Sequence, residues 1–325
     1  PYKVADGSAI DFVYYTSDRG NTIEFGGLDV DPYLGWYTKS VSSMVVFNNR
    51  LYIGFPNRNP GYADGPKKPY FIKATSIEPF GALDLHAYYM PAIGYYGGNT
   101  TWKLCIDSMC EYNDRLYIAN GGGDEVGGNG GIVRSTNNDP GSYSSYPEDW
   151  EEVTPVGETE WHSLTNNRFS IELSKVDRII PAEKAVPSMV VYNDKLYAAR
   201  NTTDGPQLWK YDGTYWELVA NSGSGLTDMG QPGNSAVSLL VVNGDRLYIG
   251  YDNGTDGVQV WRSVSGTFDP VSMTDFEPVT DNGMGDAESN QRIYHGFSIA
   301  DRGEDYLWLL CGKEGGSLSV FRTKN

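Results

Sequence analysis

The feature that most constrains this chain is a hairpin-sized segment written five times. The copies are SMVVFNNRLYIGF (Ser43 to Phe55), SMCEYNDRLYIAN (Ser108 to Asn120), SMVVYNDKLYAAR (Ser188 to Arg200), SLLVVNGDRLYIG (Ser238 to Gly250) and the divergent FSIADRGEDYLWLLCG (Phe297 to Gly312). In each, two apolar runs flank a turn. The Asn, Asp and Gly residues at these turns tolerate the positive φ that two-residue hairpins require. Met189, Val190, Val191 and Tyr192 offer no polar face, so their strand belongs in a sheet covered on both sides. Self-similarity at long period is the mark of a repeat architecture.

A third strand ending in a basic residue follows every hairpin: YFIK to Lys73, GIVR to Arg134, QLWK to Lys210, VQVWR to Arg262 and LSVFR to Arg322. Three copies add a fourth strand, reading WEEV from Trp150, WELV from Trp216 and FEPV from Phe276. This reading sets Lys210 beside Glu217 and Arg262 beside Glu277 as exposed cross-strand ion pairs. Four-stranded antiparallel units repeated around an axis make a β-propeller. The expected fold is therefore all-β, a five-bladed β-propeller forming a single domain over 1–325. Its blades fall at about 41–106, 107–186, 187–237, 238–295, and 296–325 plus 1–40. The last copy lacks a fourth strand, and Ala9 to Tyr15 (AIDFVYY) is expected to close it and remove the open edge.

Composition agrees: 39 Gly, 17 Pro and 24 Tyr in 325 residues suit many short strands and turns. A net charge of −17 opposes nucleic acid and anionic membrane surfaces as partners. No apolar run is long enough for a membrane span. Cys105, Cys110 and Cys311 form no CxxC pair; Cys105 and Cys110 could pair locally, or all three could be reduced. The chain begins at Pro1 without Met, which reads as a processed or trimmed end, and an extracellular, periplasmic or cell-surface location is expected.

LWKYDGTYWELV (Leu208 to Val219) resembles the distal half of a kelch repeat and the Asp-box of sialidase-type propellers, with VWRSVSGTF (Val260 to Phe268) a looser copy. The resemblance implies architecture, because such repeats occur in enzymes, lectins and scaffolds alike. It also implies that ligands meet the face carrying the loops between second and third strands and the links between blades. Five-bladed glycosidases are implied to keep carboxylates near the starts of their inner strands. Asp107 holds such a place clearly and Glu183 less so. Sialidases use an arginine cluster with a Tyr–Glu nucleophile. RIIP from Arg178 is similar to their Arg-Ile-Pro, with Arg292 and Tyr294 as its allies here.

The candidate ligand-binding residues on that face are Trp102, Asp107, Asp252, Tyr294 and His295. Calcium is the candidate cofactor, held by Asp252, Asn253 and Asp256, since oxygen-rich loops suit a hard cation. Nucleotide, zincin and hydrolase-triad motifs are absent. One clear acid does not make the pair that glycoside cleavage needs. The leading expectation is therefore a non-enzymatic binding or scaffold propeller that recognises a glycan or protein through its axial loops. The alternative is a carbohydrate-active enzyme, five-bladed glycosidase or sialidase-like, using Asp107.

Overall fold

The computed structural model describes residues 13–16, 23–26, 43–54, 70–74, 85–89, 106–120, 131–141, 147–153, 186–202, 205–221, 229–231, 233–313 and 315–324. Among them every sheet is antiparallel and no α-helix occurs. No helix is long and apolar enough to cross a membrane. The chain divides into two compact units, Pro1–Thr154 with Glu172–Val176, and Pro155–Ile171 with Asp177–Asn325.

In the first unit, β1 (Val13–Thr16) pairs with β2 (Ile23–Gly26). A first sheet follows, in the order β3 (Ser43–Phe47), β4 (Arg50–Gly54), β5 (Tyr70–Ala74) and β6 (Leu85–Tyr89). The second sheet holds β7 (Ile106–Tyr112), β8 (Arg115–Asn120), β9 (Gly131–Ser135) and β10 (Trp150–Glu152). In the second unit the third sheet is β11 (Ser188–Tyr192), β12 (Lys195–Thr202), β13 (Gly205–Tyr211) and β14 (Trp216–Asn221). The fourth is β15 (Ala236–Asn243), β16 (Arg246–Asp252), β17 (Gln259–Ser263) and β18 (Phe276–Pro278). The fifth has three strands, β19 (Arg292–Asp301), β20 (Glu304–Gly312) and β21 (Leu318–Lys324).

The five repeats are thus the inner hairpins of five sheets. Their turns take the conformation their residues favour: φ is positive at Asn48 and Asn49, Asn113 and Asp114, Asn193 and Asp194, and Arg302 and Gly303. The fourth hairpin instead places Gly244 at the first turn position. Of the segment expected to close the last blade, Ala9 to Phe12 lie outside the described residues, and for Val13 to Tyr15 the expectation is corrected. Val13–Thr16 pairs with Ile23–Gly26 in a separate two-stranded sheet, not with the fifth sheet. A partner a few residues away costs less loop entropy than one at the far end of the chain.

The repeated Tyr is buried in four copies, as Tyr52, Tyr117, Tyr197 and Tyr248. Each stands opposite the basic residue of its third strand, Lys73, Arg134, Lys210 and Arg262. The fifth copy replaces it with Trp308 opposite Arg322, whose guanidinium lies 5.4 Å from the indole centroid. Apolar side chains join the first sheet to the second (Phe47, Tyr52, Ile106, Leu116), the third to the fourth (Tyr197, Leu208, Leu240, Leu247) and the fourth to the fifth (Leu239, Ile293, Leu307, Leu309).

A polar rivet repeats beside these clusters. In the first unit Asn48 donates to Asn138 O, and Arg50 pairs with Asp139 at 2.7 Å. In the second, Asn193 donates to Phe268 O and Lys195 pairs with Asp269 at 2.6 Å. Both acids precede a proline, in NDPG and FDPV. The expected pairs form, Lys210 with Glu217 at 3.3 Å and Arg262 with Glu277 at 2.9 Å. The first departs from the expected exposure: the Lys210 side chain is only 2% exposed, because Asp269 and Pro270 of the neighbouring sheet cover it and accept from Nζ.

Candidate functional site

Three inner strands share an irregularity near their first residues. The β7–β8 register shifts between Ile106 and Ser108, β15–β16 between Val237 and Leu239, and β19–β20 between Ile293 and His295. The extra residues are Asp107, Ser238 and Tyr294. They are equivalent, because the next residue in each case faces the position three beyond the repeated Leu: Ala119, Gly250 or Leu310. A bulge leaves one residue out of the ladder and re-aims its side chain.

Two of these bulges are anchored in the same way. Ile106 packs over Gly54, where an added Cβ would lie 2.6 Å from Ile106 Cγ2. Ile293 packs over Gly250, where the corresponding distance to Ile293 Cδ1 is 2.5 Å. The isoleucine before each bulge therefore sits where only glycine on the adjoining sheet leaves room. That contact fixes where Asp107 and Tyr294 begin.

Asp107 is buried in β7, and Tyr294 is half-buried. Asp252 ends β16, is buried, and accepts the Ile293 N–H on Oδ1 at 2.9 Å. Burial pushes its carboxyl up to about 6, against the lowering pull of Ser238, the Ile293 N–H and the Arg292 charge. Asp252 Oδ2 and Ser238 Oγ are buried without a hydrogen-bond partner. Cys311 lies buried nearby as a free thiol, pushed up to about 12 by burial and then by the Asp252 charge.

Asp252 and the start of β19 are thus brought together. His295 is not. It is exposed, 5.9 Å from Phe297 between ring centroids, on the face of β19 opposite to Gly296, which packs on Leu239. Trp102, Glu183 and Arg178 lie outside the described residues, as does Cys105. In the proposed calcium loop, Asn253 Oδ1 already accepts from the N–H groups of Thr255 and Asp256 at 3.0 and 2.8 Å. The loop is closed by its own turn chemistry. Among the described residues no three His, Cys, Asp or Glu side chains cluster at metal-binding distance.

Arg200 was not anticipated from the sequence. It is fully buried two residues before the end of β12, its side chain donates to Gln207 Oε1 at 3.2 Å, and burial pushes it down to about 9. The available signal was a charge in LYAAR where the other copies carry Phe55, Asn120, Tyr251 and Cys311.

The Asp-box-like turn is built as its residues require. Asp212 Oδ1 accepts from Tyr215 N at 2.8 Å and Thr214 N at 2.7 Å, and Trp216 stacks on Tyr211 at 4.7 Å. These backbone bonds hold the Asp212 carboxyl below the usual range.

No protein-family profile matches the chain, and no curated protein matches it. Solved structures do. Trypanosoma rangeli sialidase with 2,3-difluoro-KDN has a TM-score of 0.53 at 11% identity, over 98% of this chain and 49% of that one. The covalent-intermediate complex of that sialidase gives 0.51 at 11% identity, over 96% and 49%. An α-L-arabinofuranosidase from Lactobacillus brevis gives 0.45 at 11% identity, over 89% and 92%.

The fold is a β-propeller type. The chain spans about half the length of the sialidase chains it resembles. Nothing in these likenesses singles out kelch repeats. The expectation of a non-enzymatic binding or scaffold module is overturned by the same finding. The sialidase chains that share the fold are named as enzymes, and at 11% identity the likeness shows the fold alone.

Proposed function

We propose that this protein is a carbohydrate-active enzyme that cleaves a glycosidic bond, with Asp107 as its candidate acid. The observation that carries this reading is the bulge shared by three inner strands. It lifts Asp107, Ser238 and Tyr294 out of their ladders at equivalent places. A glycosidic bond breaks when one group protonates the leaving oxygen and another attacks the anomeric carbon or activates water. Asp107 supplies a carboxyl. In the second unit, taken by itself, Tyr294 with Arg292 two residues before it is a phenol of the kind sialidases use as nucleophile. The named activity of the sialidase chains supports the reading.

The test is a panel of chromogenic α-sialoside, α-L-arabinofuranoside and β-D-xyloside substrates. Turnover of one of them, reduced about 10²- to 10⁴-fold in Asp107→Asn without a change in melting temperature, is the expected result. Turnover that Asp107→Asn leaves intact removes Asp107 from the chemistry. Absence of turnover on every substrate overturns the reading.

A further inference from the structure

The third strands QLWK and VQVWR contain the same Gln-x-Trp, and in both the indole N–H donates to the glutamine. Trp209 Nε1 meets Gln207 Oε1 at 3.0 Å, and Trp261 Nε1 meets Gln259 Oε1 at 3.3 Å. An indole N–H can only donate, so it fixes which end of the glutamine is oxygen. Around Gln259 that polarity runs through five side-chain amides.

At the inner end, the backbone N–H groups of Thr255 and Asp256, also donors only, point at Asn253 Oδ1. Asn253 Nδ2 then donates to Asn234 Oδ1 at 3.1 Å, and Asn234 Nδ2 to Gln259 Oε1 at 3.2 Å. Gln259 Nε2 spends its two hydrogens on Gln231 Oε1 at 2.7 Å and Asn282 Oδ1 at 3.2 Å. Asn253, Asn234 and Gln259 are buried, whereas Gln231 and Asn282 are exposed. The relay therefore starts at donor-only groups inside and ends on two surface amides whose oxygens face inward.

What these two residues turn outward is N–H. Asn282 Nδ2 makes one weak bond, to Gln231 Oε1 at 3.4 Å, and Gln231 Nε2 has no partner among the described residues. Chained hydrogen bonds polarise one another, which strengthens the terminal donors. Solvating two exposed amides needs no such chain, since water would meet either end of them equally well.

We propose that Gln231 and Asn282 form a donor-presenting subsite for the hydroxyl and ring oxygens of a neutral saccharide. The donors carry no charge, so they suit uncharged oxygens. Their orientation is set before a ligand arrives, which removes an ordering cost from binding. The amide geometry stands without any assumption about activity; the choice of a saccharide rests on the glycan-cleaving reading above.

The test uses the full chain labelled with ¹⁵N, titrated with xylotriose and with sucrose as neutral probes and N-acetylneuraminic acid as a charged one. The side-chain amide signals of Gln231 and Asn282 are assigned by their loss in Gln231→Leu and Asn282→Leu. A saturable shift of both with a neutral probe is expected. Gln231→Glu keeps the inward oxygen and replaces the outward donors with an acceptor, and should weaken that binding about tenfold, the equivalent of one hydrogen bond.

Trp261→Phe removes the donor that orients Gln259. It should split or broaden both signals while the protein stays folded. Wild-type affinity in Gln231→Glu, shifts with N-acetylneuraminic acid alone, or no saturable shift with any probe overturns the proposal. Turnover assayed on the same samples separates the two readings. Shifts without turnover keep this subsite and remove the enzyme, and turnover without shifts does the reverse.

Discussion

Ile293 donates its backbone N–H to Asp252 Oδ1 across 2.9 Å, tying the start of β19 to the end of β16. The third sheet makes the corresponding joint with an amide. Asn201 accepts from Val237 N at 2.9 Å and donates to Val237 O at 3.0 Å. A carboxylate can copy only the accepting half. Its second oxygen stays buried and unpartnered, a state that costs about 1–3 kcal/mol or more for a charged group.

That difference gives a pH dependence. The folded-state pKa of Asp252 is raised from 3.8 to about 6 by burial, so the folded protein holds this proton more tightly than the unfolded chain. The stabilisation is complete below about pH 4 and is lost as pH rises through about 6, amounting to about 3 kcal/mol. Urea unfolding at pH 4.5 and 7.5 should show wild type losing stability at the higher pH relative to Asp252→Asn. The variant, able to imitate Asn201, should be the more stable at pH 7.5. Equal pH profiles for the two proteins would refute the assignment.

The repeated Leu should behave as core. Leu196 is fully buried, in register with Val191 and Tyr211 on the flanking strands, so Leu196→Ala should cost about 2–5 kcal/mol through the cavity it leaves. A loss below 1 kcal/mol in chemical denaturation would contradict this packing.

The two rivets should differ in worth although their geometry matches. Asp269 holds the buried ammonium of Lys210 at 2.9 Å as well as Lys195. Asp269→Ala leaves that buried charge with Glu217 at 3.3 Å and one carbonyl, and should cost about 3–5 kcal/mol. Asp139 is itself exposed and its ion pair is with the part-exposed Arg50, so Asp139→Ala should cost about 1 kcal/mol or less. Similar losses for both, read by thermal and urea unfolding, would mean that burial of Lys210 is not what sets the difference.

The hairpins were legible in the sequence because their information is local. Asn-Asn, Asn-Asp and Asn-Gly announce their own turns, and Lys210 against Glu217 follows from counting along two adjacent strands. The rivets were not, because Lys195 and Asp269 are brought together from distant parts of the chain by packing of one sheet on the next. Nor were the bulges. One inserted residue changes which way a side chain points without altering the apolar pattern around it. Asp107, Asp252 and Tyr294 were picked out from their place near strand ends, but the fate of His295 depended on that one-residue shift. The amide relay was hidden for a different reason, since glutamine and asparagine carry no orientation until a donor-only neighbour supplies it.

The glycine under each bulge can be tested as a pair with its isoleucine. An alanine Cβ at Gly250 would fall 2.5 Å from Ile293 Cδ1 and 3.2 Å from Leu239 Cβ, inside a packed core. Gly250→Ala should therefore cost about 1–3 kcal/mol from overpacking. Ile293→Val removes the clashing methyl and alone should cost about 0.5–1.5 kcal/mol. In the double variant the alanine methyl takes the space the isoleucine gave up. Its loss should fall below the sum of the two single losses by at least about 0.5 kcal/mol, the scale of coupling between contacting residues. Turnover should follow the same pattern, depressed in Gly250→Ala and recovered in the pair, because Tyr294 begins where Ile293 is seated. Strictly additive stabilities would show that the glycine does not set the position of Ile293.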